Sequence, residues 1–512
     1  MKDIVIINGQ INTMDPGFHE AEALAVKNGR ILCLGTNEEI RRAMPPGAEV
    51  IDAKGNSVFP GFFDTHVHLT FMGLNMYAAD LSVAGNKEEL LRIITDRAKE
   101  LKPGQWIHGT GYDETVYPAH QLPDITELDE IFGDRPVFLE RVDAHQVLVN
   151  SAAFRALGFS SEEEGVSRNE KGGITGIIKD PANGKAHKIF SEKLITDDMR
   201  REFLIRASEE ILRNGTTSIS ALEGGDLFSE RDVEALLNIK DKLPINTVLY
   251  HQTLDVDKVI REGQKQIGGC IVLDGSLGSH TAALFDDYSD IKGCRGNLYY
   301  SQDVIDDFVC EAHEKGLQVS MHNIGDRATE RLLTAFEKAC AKYPRPDHRH
   351  RFEHFSMATD GQAARTKELN CCLAMQPSYV VGDEMIRTRV GEERMRRSLR
   401  FRTFMNMGLK VGGGSDSPIT PVDPFHGIAC AMEHFLPSER MGFLDAVKMF
   451  TIDAAYLTFE ENVRGSLSPG KIADIAVADR NIREIDPGDT EAIRNTGFAC
   501  TISGGEIRYT GK

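Results

Sequence analysis

Short apolar runs rich in Val and Ile alternate with segments of helical periodicity along most of this 512-residue chain. Parallel strands that are buried on both faces have this appearance, and they need a crossover segment between them. Eight runs are predicted to be strands, at residues 59–68, 216–222, 245–251, 270–274, 317–322, 350–354, 371–376 and 409–416. Helices are predicted between the later strands, at 305–315, 327–342, 360–369 and 394–407. This alternation predicts an α/β fold, a TIM-type (β/α)8 barrel whose active site lies at the C-terminal strand ends.

Two histidines, His66 and His68, end the first predicted strand with one β-branched residue between them. At strand alternation, both imidazoles point to the same face. Zinc binds neutral imidazoles well but needs at least one further protein ligand. Candidates lie at the ends of later predicted strands, namely His322, His354 and Asp416. Because the strand ends of a parallel barrel meet at one mouth, these residues predict a site for a divalent metal, with Zn²⁺ the favoured ion.

Two parts of the chain fall outside eight simple strand–helix units. Residues 1–53 and 463–512 hold short apolar runs punctuated by Gly, Pro and Asp, which predicts one composite β-sandwich domain built from both ends. The catalytic barrel is then expected over 54–462. Residues from about 73 to about 210 are too many for one connection, so they predict an insertion with structure of its own. A strand predicted in this insertion ends in Asp143 and His145, which are expected near the barrel mouth.

Composition limits the partners of this chain. A formal net charge of −19 argues against nucleic acid and against an anionic membrane surface, since both would repel it. The amino terminus lacks the apolar core of a signal peptide, and no apolar run approaches the length of a membrane span. Nine cysteines without Cys-x-x-Cys spacing indicate neither a disulfide framework nor a zinc ribbon. The sequence therefore predicts a cytoplasmic enzyme with a small-molecule substrate, and it leaves the oligomeric state open, a homodimer included.

Motifs along the whole chain resemble those of the amidohydrolase superfamily, and within it the amidohydrolase 3, or YtcJ-like, family. The motifs are PGFFDTHVH at 60–68, RVDAH at 141–145 with VNS at 149–151, LDGSLGS at 273–279, HNIGDRA at 322–328, RFEH at 351–354, GSDSP at 414–418 and GSLSPGKIAD at 465–474. This resemblance implies an enzyme that hydrolyses amide or related C–N bonds with one or two metal ions.

The resemblance also implies roles for individual residues. His66, His68 and Asp416 would bind the more buried ion, and His322 and His354 a second one. A hydroxide on the metal would attack the carbonyl carbon, because zinc can lower the pKa of bound water to ~7. Asp416 would act as the proton shuttle, accepting the proton of the attacking water and passing it to the leaving nitrogen.

Cys270 departs from the family pattern. The family commonly has a lysine at this position, four residues before the Asp-Gly step, and in related enzymes its carboxylated form bridges two metals. A Cys270 thiolate could itself bind or bridge zinc, which is a good acceptor for soft ligands. Alternatively, the site holds one ion and Cys270 is a small buried strand residue. Two further departures, His280 in place of arginine and Ser417 in place of tryptophan, predict an altered substrate pocket.

Substrate contacts are predicted from Asp143, His145, Asp274, His280 and Arg327, with His145 donating to the carbonyl oxygen in catalysis. Asp274 and Arg327 could instead be structural, since Asp-Gly and Gly-Asp steps are common in turns, and His145 could brace the insertion. The predicted function is hydrolysis of an amide or other C–N bond of a small molecule. Alternatives are a deaminase, a cyclic-amide hydrolase or an ester hydrolase on the same site, and a non-catalytic scaffold that retains the barrel.

Overall fold

The computed structural model describes residues 2–102, 104–141, 146–179, 182–225 and 229–511. The chain divides into two compact units. The first comprises Met1–Leu69, Ser208–Gly225 and Leu237–Lys512, and the second comprises Thr70–Ala207 and Asp226–Leu236. None of the helices within the described ranges combines the length and the apolar composition needed to cross a membrane.

Eight parallel strands of the first unit form a nearly closed barrel, which confirms the predicted α/β barrel. In chain order they are β1 (Phe62–Val67), β2 (Thr216–Glu223), β3 (Asn246–His251), β4 (Gln266–Ile267), β5 (Gln318–Asn323), β6 (Arg351–His354), β7 (Cys372–Met375) and β8 (Lys410–Gly413). Each strand pairs with the next one along the chain. A parallel bridge between Val67 and Ser417 brings the first strand to the segment after the last. Every residue of β1 and β2 is buried, as the continuous apolar runs predicted.

Two of the predicted strands differ from the observed ones. The run at 59–68 is two strands, because Ser57–Pro60 pairs antiparallel with Ile475–Ala478 and only the residues after Gly61 enter the barrel. A Cβ at Gly61 would lie 2.3 Å from Thr217 Oγ1, so the glycine permits this close crossing. The strand predicted at 270–274 is wrong in its position, since β4 lies earlier and Val272 forms an isolated parallel bridge to His322 of β5.

Helices alternate with the barrel strands along the chain. Those of the first unit are Asn37–Ala43, Val256–Arg261, Gln302–Glu314, Asp326–Lys342, Asp360–Glu368, Asp383–Met395, Phe401–Asn406, Pro424–Glu433, Phe443–Met449, Ile452–Leu457 and Thr490–Arg494. The single helix predicted over 394–407 is wrong, because two helices share that region. Leu399 between them has a φ of 54°, and its N–H donates to Ser356 O at 3.0 Å instead of continuing a helix.

The two ends of the chain share a sheet. Its strand order is Glu506–Thr510, Phe498–Ser503, Ile475–Ala478, Ser57–Pro60, Gln10–Asp15 and Phe18–Ala21. A second sheet has the order Arg30–Gly35, Ala23–Lys27, Ile4–Ile7 and Glu49–Asp52. Apolar side chains of both sheets, such as Ile6, Val58 and Ile475, belong to one buried cluster. The domain boundaries 1–53, 54–462 and 463–512 stay a prediction.

The second unit has its own six-stranded sheet and helices. The sheet order is Val166–Arg168, Ile174–Lys179, Gln146–Val149, Val137–Arg141, Ile107–Tyr112 and Ala79–Asp80. The helices within it are Lys87–Glu100, Ile125–Phe132, Ser151–Leu157 and Ala182–Ile189, and three more, Leu69–Tyr77, Asp197–Arg213 and Glu230–Ile239, run across the boundary between the units. Asp143 and His145 lie outside the described residues, so their predicted substrate contacts stay predictions.

Three buried histidines near the N-terminal ends of β5 and β6 form a chain of hydrogen bonds. Val319 N–H donates to His350 Nδ1 at 3.0 Å, so His350 Nε2–H donates to His313 Nδ1 at 2.8 Å. His350 N–H donates to His348 Nδ1 at 3.0 Å. Each imidazole therefore uses one nitrogen as an acceptor. Protonation of that nitrogen would break the hydrogen bond, because two N–H groups would then face each other. Burial lowers the pKa of His348 to about 4 and that of His350 well below its ordinary value.

These depressed pKa values predict a loss of stability in acid. The pKa of histidine in an unfolded chain is about 6.5. The stabilisation of the folded state by neutral His348 is therefore complete above that pH, and it is lost as the pH falls toward the folded-state pKa of about 4. We expect the melting temperature of His348→Asn to fall less between pH 7 and pH 5 than that of the wild type. An Asn side chain can still accept from the N–H two residues on, and it does not titrate. The matched control is His120→Gln, at an exposed histidine. A melting temperature of His348→Asn that falls with pH as much as that of the wild type would contradict the prediction.

Candidate metal centre

Polar side chains converge at the C-terminal ends of the barrel strands. His66 lies in β1 and His68 directly after it, His322 lies in β5, and His354 ends β6. Cys270 and Asp416 each follow a strand by three residues, after β4 and β8 respectively. All six side chains belong to buried residues. The structure therefore brings every predicted metal ligand to the same end of the barrel.

Asp416 joins the two histidines of the first strand. Its Oδ1 atom lies 3.2 Å from His66 Nε2 and 3.1 Å from His68 Nε2. Two overlapping groups have donor atoms within 4.8 Å of one another, and they are His66, His68 and Cys270, and His66, His354 and Asp416. Burial would raise the pKa of Asp416, but the adjacent His66 and His68 imidazoles bring it well below its ordinary value.

The backbone of Asp416 is held in an uncommon conformation. Its φ is 58°, in the left-handed region that non-glycine residues rarely adopt. Asp416 N–H donates to His66 O at 2.8 Å, and Ser415 N–H donates to Asp64 Oδ1 at 3.0 Å. The same Asp64 oxygen accepts from His66 N–H at 3.0 Å. Strained conformations persist where the surroundings determine them and are concentrated at functional sites. These bonds fix the loop after β8 to the end of β1.

Cys270 lies among the histidines. Its Sγ is 3.9 Å from His354 Nε2, and its N–H donates to Gln252 Oε1 at 3.0 Å. Burial raises the pKa of a thiol, but interactions with His354, His66 and His68 outweigh it and hold the pKa of Cys270 well below its ordinary value. A thiolate is the form that binds metal, and the ligand role of Cys270 stays a prediction.

Outer partners orient three of the histidines. His66 Nδ1–H donates to Glu353 Oε2 at 2.7 Å, His68 Nδ1–H to Leu222 O at 3.0 Å, and His354 Nδ1–H to Gln376 Oε1 at 2.7 Å. Each bond occupies Nδ1, which leaves Nε2 directed at the other donors. Metal-binding histidines are typically oriented in this way, by a carboxylate or a carbonyl on the second nitrogen.

A fully buried ion pair supports the Glu353 carboxylate. Arg351 Nε donates to Glu353 Oε1 at 2.6 Å, and Arg351 Nη2 donates to Thr65 O at 2.7 Å. The guanidinium lies over the Tyr250 ring, with its carbon 4.1 Å from the ring centroid. Arg351 and Glu353 both belong to the Arg-Phe-Glu-His motif, in which only His354 was predicted to have a role in the site. Two charged residues at alternate positions of a barrel strand were the signal for an inward-facing pair.

His322 occupies the edge of the donor set. Its ring centroid lies 4.5 Å from that of His354, and its Nδ1 lies 3.3 Å from Asp274 Oδ1, but it belongs to neither of the two close groups. Asp274 is buried and accepts from the N–H groups of Ala283, Ile324 and Gly325 at 2.7 to 3.0 Å. These contacts hold Asp274 beside His322, and contact of Asp274 with a substrate stays a prediction.

The other predicted substrate residues are engaged in loop contacts. His280 Nε2 lies 2.9 Å from Asp290 Oδ2, and Arg327 Nη2 donates to the carbonyl oxygens of Arg295 and Gly296 at 3.1 and 3.0 Å. These interactions brace the segment after Cys270. Contact of either side chain with a substrate stays a prediction.

The donor set fits a divalent metal. His66 Nε2 is buried and has no hydrogen-bond partner among the described residues, which is costly unless another group satisfies it. Imidazole nitrogens, a thiolate and a carboxylate are together the ligand types of zinc and of similar transition metals. The convergence of these donors at the C-terminal strand ends is typical of metal-dependent barrel enzymes.

Comparison with known proteins identifies the family. A profile of the amidohydrolase family matches residues 49–509, and the chain belongs to that family. The YtcJ-like resemblance is thereby confirmed.

Relatives match nearly the full chain. Protein LONG AFTER FAR-RED 3 of Arabidopsis thaliana is 31% identical over 99% of this chain and 91% of its own length. YtcJ of Bacillus subtilis (strain 168), whose name includes the word amidohydrolase, is 28% identical over 98% of both chains. An N-substituted formamide deformylase of Arthrobacter pascens is 27% identical over 99% of this chain and 98% of its own.

A solved structure shares the fold. An uncharacterised metal-dependent hydrolase from Pyrococcus furiosus superposes with a TM-score of 0.80 at 31% identity, covering 95% of this chain and 99% of its own. Residues 49–509, which match the family profile, include all the barrel strands that carry the donors.

Proposed function

We propose that this protein is a metal-dependent hydrolase that cleaves an amide or other C–N bond of a small molecule. The observation that carries the proposal is the position of Asp416, whose Oδ1 atom lies between the Nε2 atoms of His66 and His68 at 3.2 and 3.1 Å. A carboxylate among metal-directed imidazoles can both bind an ion and exchange a proton. The relative named N-substituted formamide deformylase supports a C–N bond as the target.

The ligands proposed for the metal are His66, His68, Cys270, His354 and Asp416, with His322 at the edge of the set. A divalent ion bound there would acidify water and polarise a carbonyl group. The Asp416 carboxylate would accept the proton released by the attacking water. It would then pass that proton to the nitrogen of the breaking C–N bond, which leaves as a neutral amine.

Two sets of contacts keep this site ready for the reaction. Glu353, the Leu222 carbonyl and Gln376 hold the three imidazoles by Nδ1, so Nε2 is the nitrogen that each ring would offer to a bound metal. Burial of the donors excludes bulk water and strengthens the electrostatic effect of a bound ion. Deaminase, cyclic-amide hydrolase and ester hydrolase activities use the same arrangement and differ in the substrate pocket.

Metal removal and substrate screening test the proposal together. The protein would be expressed with zinc, analysed for metal, and assayed on panels of N-acyl and N-formyl amines, cyclic amides, esters and amino-substituted heterocycles. We expect at least about one ion per chain, an activity that a chelator abolishes, and recovery on adding zinc back. A chain that binds the ion and turns over no member of the panels would favour the non-catalytic scaffold, and less than half an equivalent of metal would contradict the site itself.

The number of ions depends on Cys270. If its thiolate binds metal, Cys270→Ser should lower the metal stoichiometry or affinity, and Cys270→Lys in bicarbonate should restore a bridging ligand. The matched control is Cys372→Ser, a buried thiol in β7 whose pKa burial raises to about 12. Full retention of metal and activity in Cys270→Ser would indicate a single ion held by the imidazoles and Asp416.

A further inference from the structure

Tyr379 contacts the other oxygen of the Asp416 carboxylate. The tyrosine lies in the short 3₁₀ helix Pro377–Gly382, which follows β7. Its hydroxyl donates to Asp416 Oδ2 at 2.5 Å. Its ring lies parallel to the His354 imidazole, with the ring centroids 6.0 Å apart and the planes 7° from each other. Tyr379 is thus fixed between two members of the donor set.

The two carboxylate oxygens of Asp416 have separate surroundings. Oδ1 faces the Nε2 atoms of His66 and His68, and Oδ2 accepts from Tyr379. A carboxylate that binds a metal through one oxygen can rotate about its Cβ–Cγ bond unless the second oxygen is held, because that torsion is broad. A hydrogen bond to an ionised acceptor is about twice as strong as a neutral one. The phenol therefore selects one orientation of the carboxylate.

We propose that Tyr379 is a positioning residue that holds Asp416 with Oδ1 directed at the metal. This inference rests on the proposed function for its catalytic consequence, but its effect on metal binding is independent of it. Glu353, the Leu222 carbonyl and Gln376 do for three imidazoles what Tyr379 does for the carboxylate. Partners of this kind are typically worth ~10- to 100-fold in metal affinity or activity.

The test compares Tyr379→Phe with the wild type and with Tyr288→Phe. Tyr288 is also buried, and its hydroxyl donates to Ala282 O at 2.9 Å, so the control removes a phenol hydrogen bond that does not reach a proposed metal ligand. The dissociation constant for Zn²⁺ would be measured by competition with a chelator. We expect Tyr379→Phe to bind Zn²⁺ ~10- to 100-fold more weakly, with a melting temperature no lower than that of Tyr288→Phe.

Kinetics at saturating Zn²⁺ give a second measurement. On any substrate found for the wild type, Tyr379→Phe should lower kcat ~10-fold or more and change KM less than about threefold, because a misplaced proton shuttle affects the transition state rather than substrate binding. An unchanged Zn²⁺ affinity in Tyr379→Phe would overturn the proposal, and so would an equal loss of affinity in Tyr288→Phe. A wild type that binds zinc without turnover would reject the proposed function, while the zinc affinities still decide the role of Tyr379.

Discussion

Replacing Asp416 by Asn is expected to lower turnover at least ~10²-fold while the barrel stays folded. The amide keeps the shape of the carboxylate and one carbonyl oxygen, but it cannot accept the proton of the attacking water. The carboxylate also lies within 3.2 Å of two imidazole nitrogens, so metal affinity should fall in the same variant. Turnover would therefore be measured at saturating Zn²⁺, together with metal content.

The matched control for this change is Asp453→Asn. Asp453 is also buried, and its Oδ1 accepts from Lys410 Nζ at 2.9 Å, at the N-terminal start of β8. The control should retain turnover, because it alters an ion pair away from the donor set. Turnover of Asp416→Asn within a few-fold of the wild type would reject Asp416 as the proton shuttle.

Replacing Arg351 by Met should give the largest loss of stability. Arg351 and Glu353 are both fully buried, and burial alone would raise the pKa of Glu353, but Arg351 and His66 bring it down to about 2. Removing one partner of such a pair leaves a buried charge without compensation and typically costs ~3–5 kcal/mol. The denaturation midpoint in urea should therefore fall sharply.

Lys448→Met is the control for the loss of an ion pair at an exposed position. Lys448 lies 2.9 Å from Asp445 on a helix, with both side chains about half exposed. Exposed pairs contribute ~0–1 kcal/mol, so the denaturation midpoint should barely move. Equal shifts of the denaturation midpoint in Lys448→Met and Arg351→Met would show that the buried ion pair stabilises the fold no more than an exposed one.

Much of the barrel could be predicted from the sequence, because fully buried parallel strands leave continuous apolar runs. The exceptions have local causes. Gly268 and Gly269, both with positive φ, end β4 after two residues, so the apolar run that follows them lies outside the strand. Leu399 interrupts the predicted helix because its N–H bonds to Ser356 O, a contact that no periodicity reveals.

The candidate site was predictable only in part, because some of its residues have a sequence pattern and others do not. His66, His68, His322, His354 and Asp416 are polar residues at the ends of apolar runs, and the alternation places them at one end of a barrel. Gln376 and Tyr379 have no such signal, since amides and phenols are common after strands. Their importance comes from distances of 2.7 and 2.5 Å to residues that are far away in sequence.

The strand just before Gly61 pairs with a strand that is synthesised much later. Ser57–Pro60 and β1 are consecutive, yet the first pairs with Ile475–Ala478, a strand that leaves the ribosome more than four hundred residues later. Domains generally fold from the N-terminus during translation. Here Ser57–Pro60, which leads into the strand of His66, lacks one of its two neighbours until residues 475–478 have been synthesised. A chain shortened before residue 475 would therefore have an unpaired sheet edge close in sequence to His66 and His68. Such an edge is a template for aggregation, so the strand Ile475–Ala478 covers an aggregation-prone edge as well as extending the sheet.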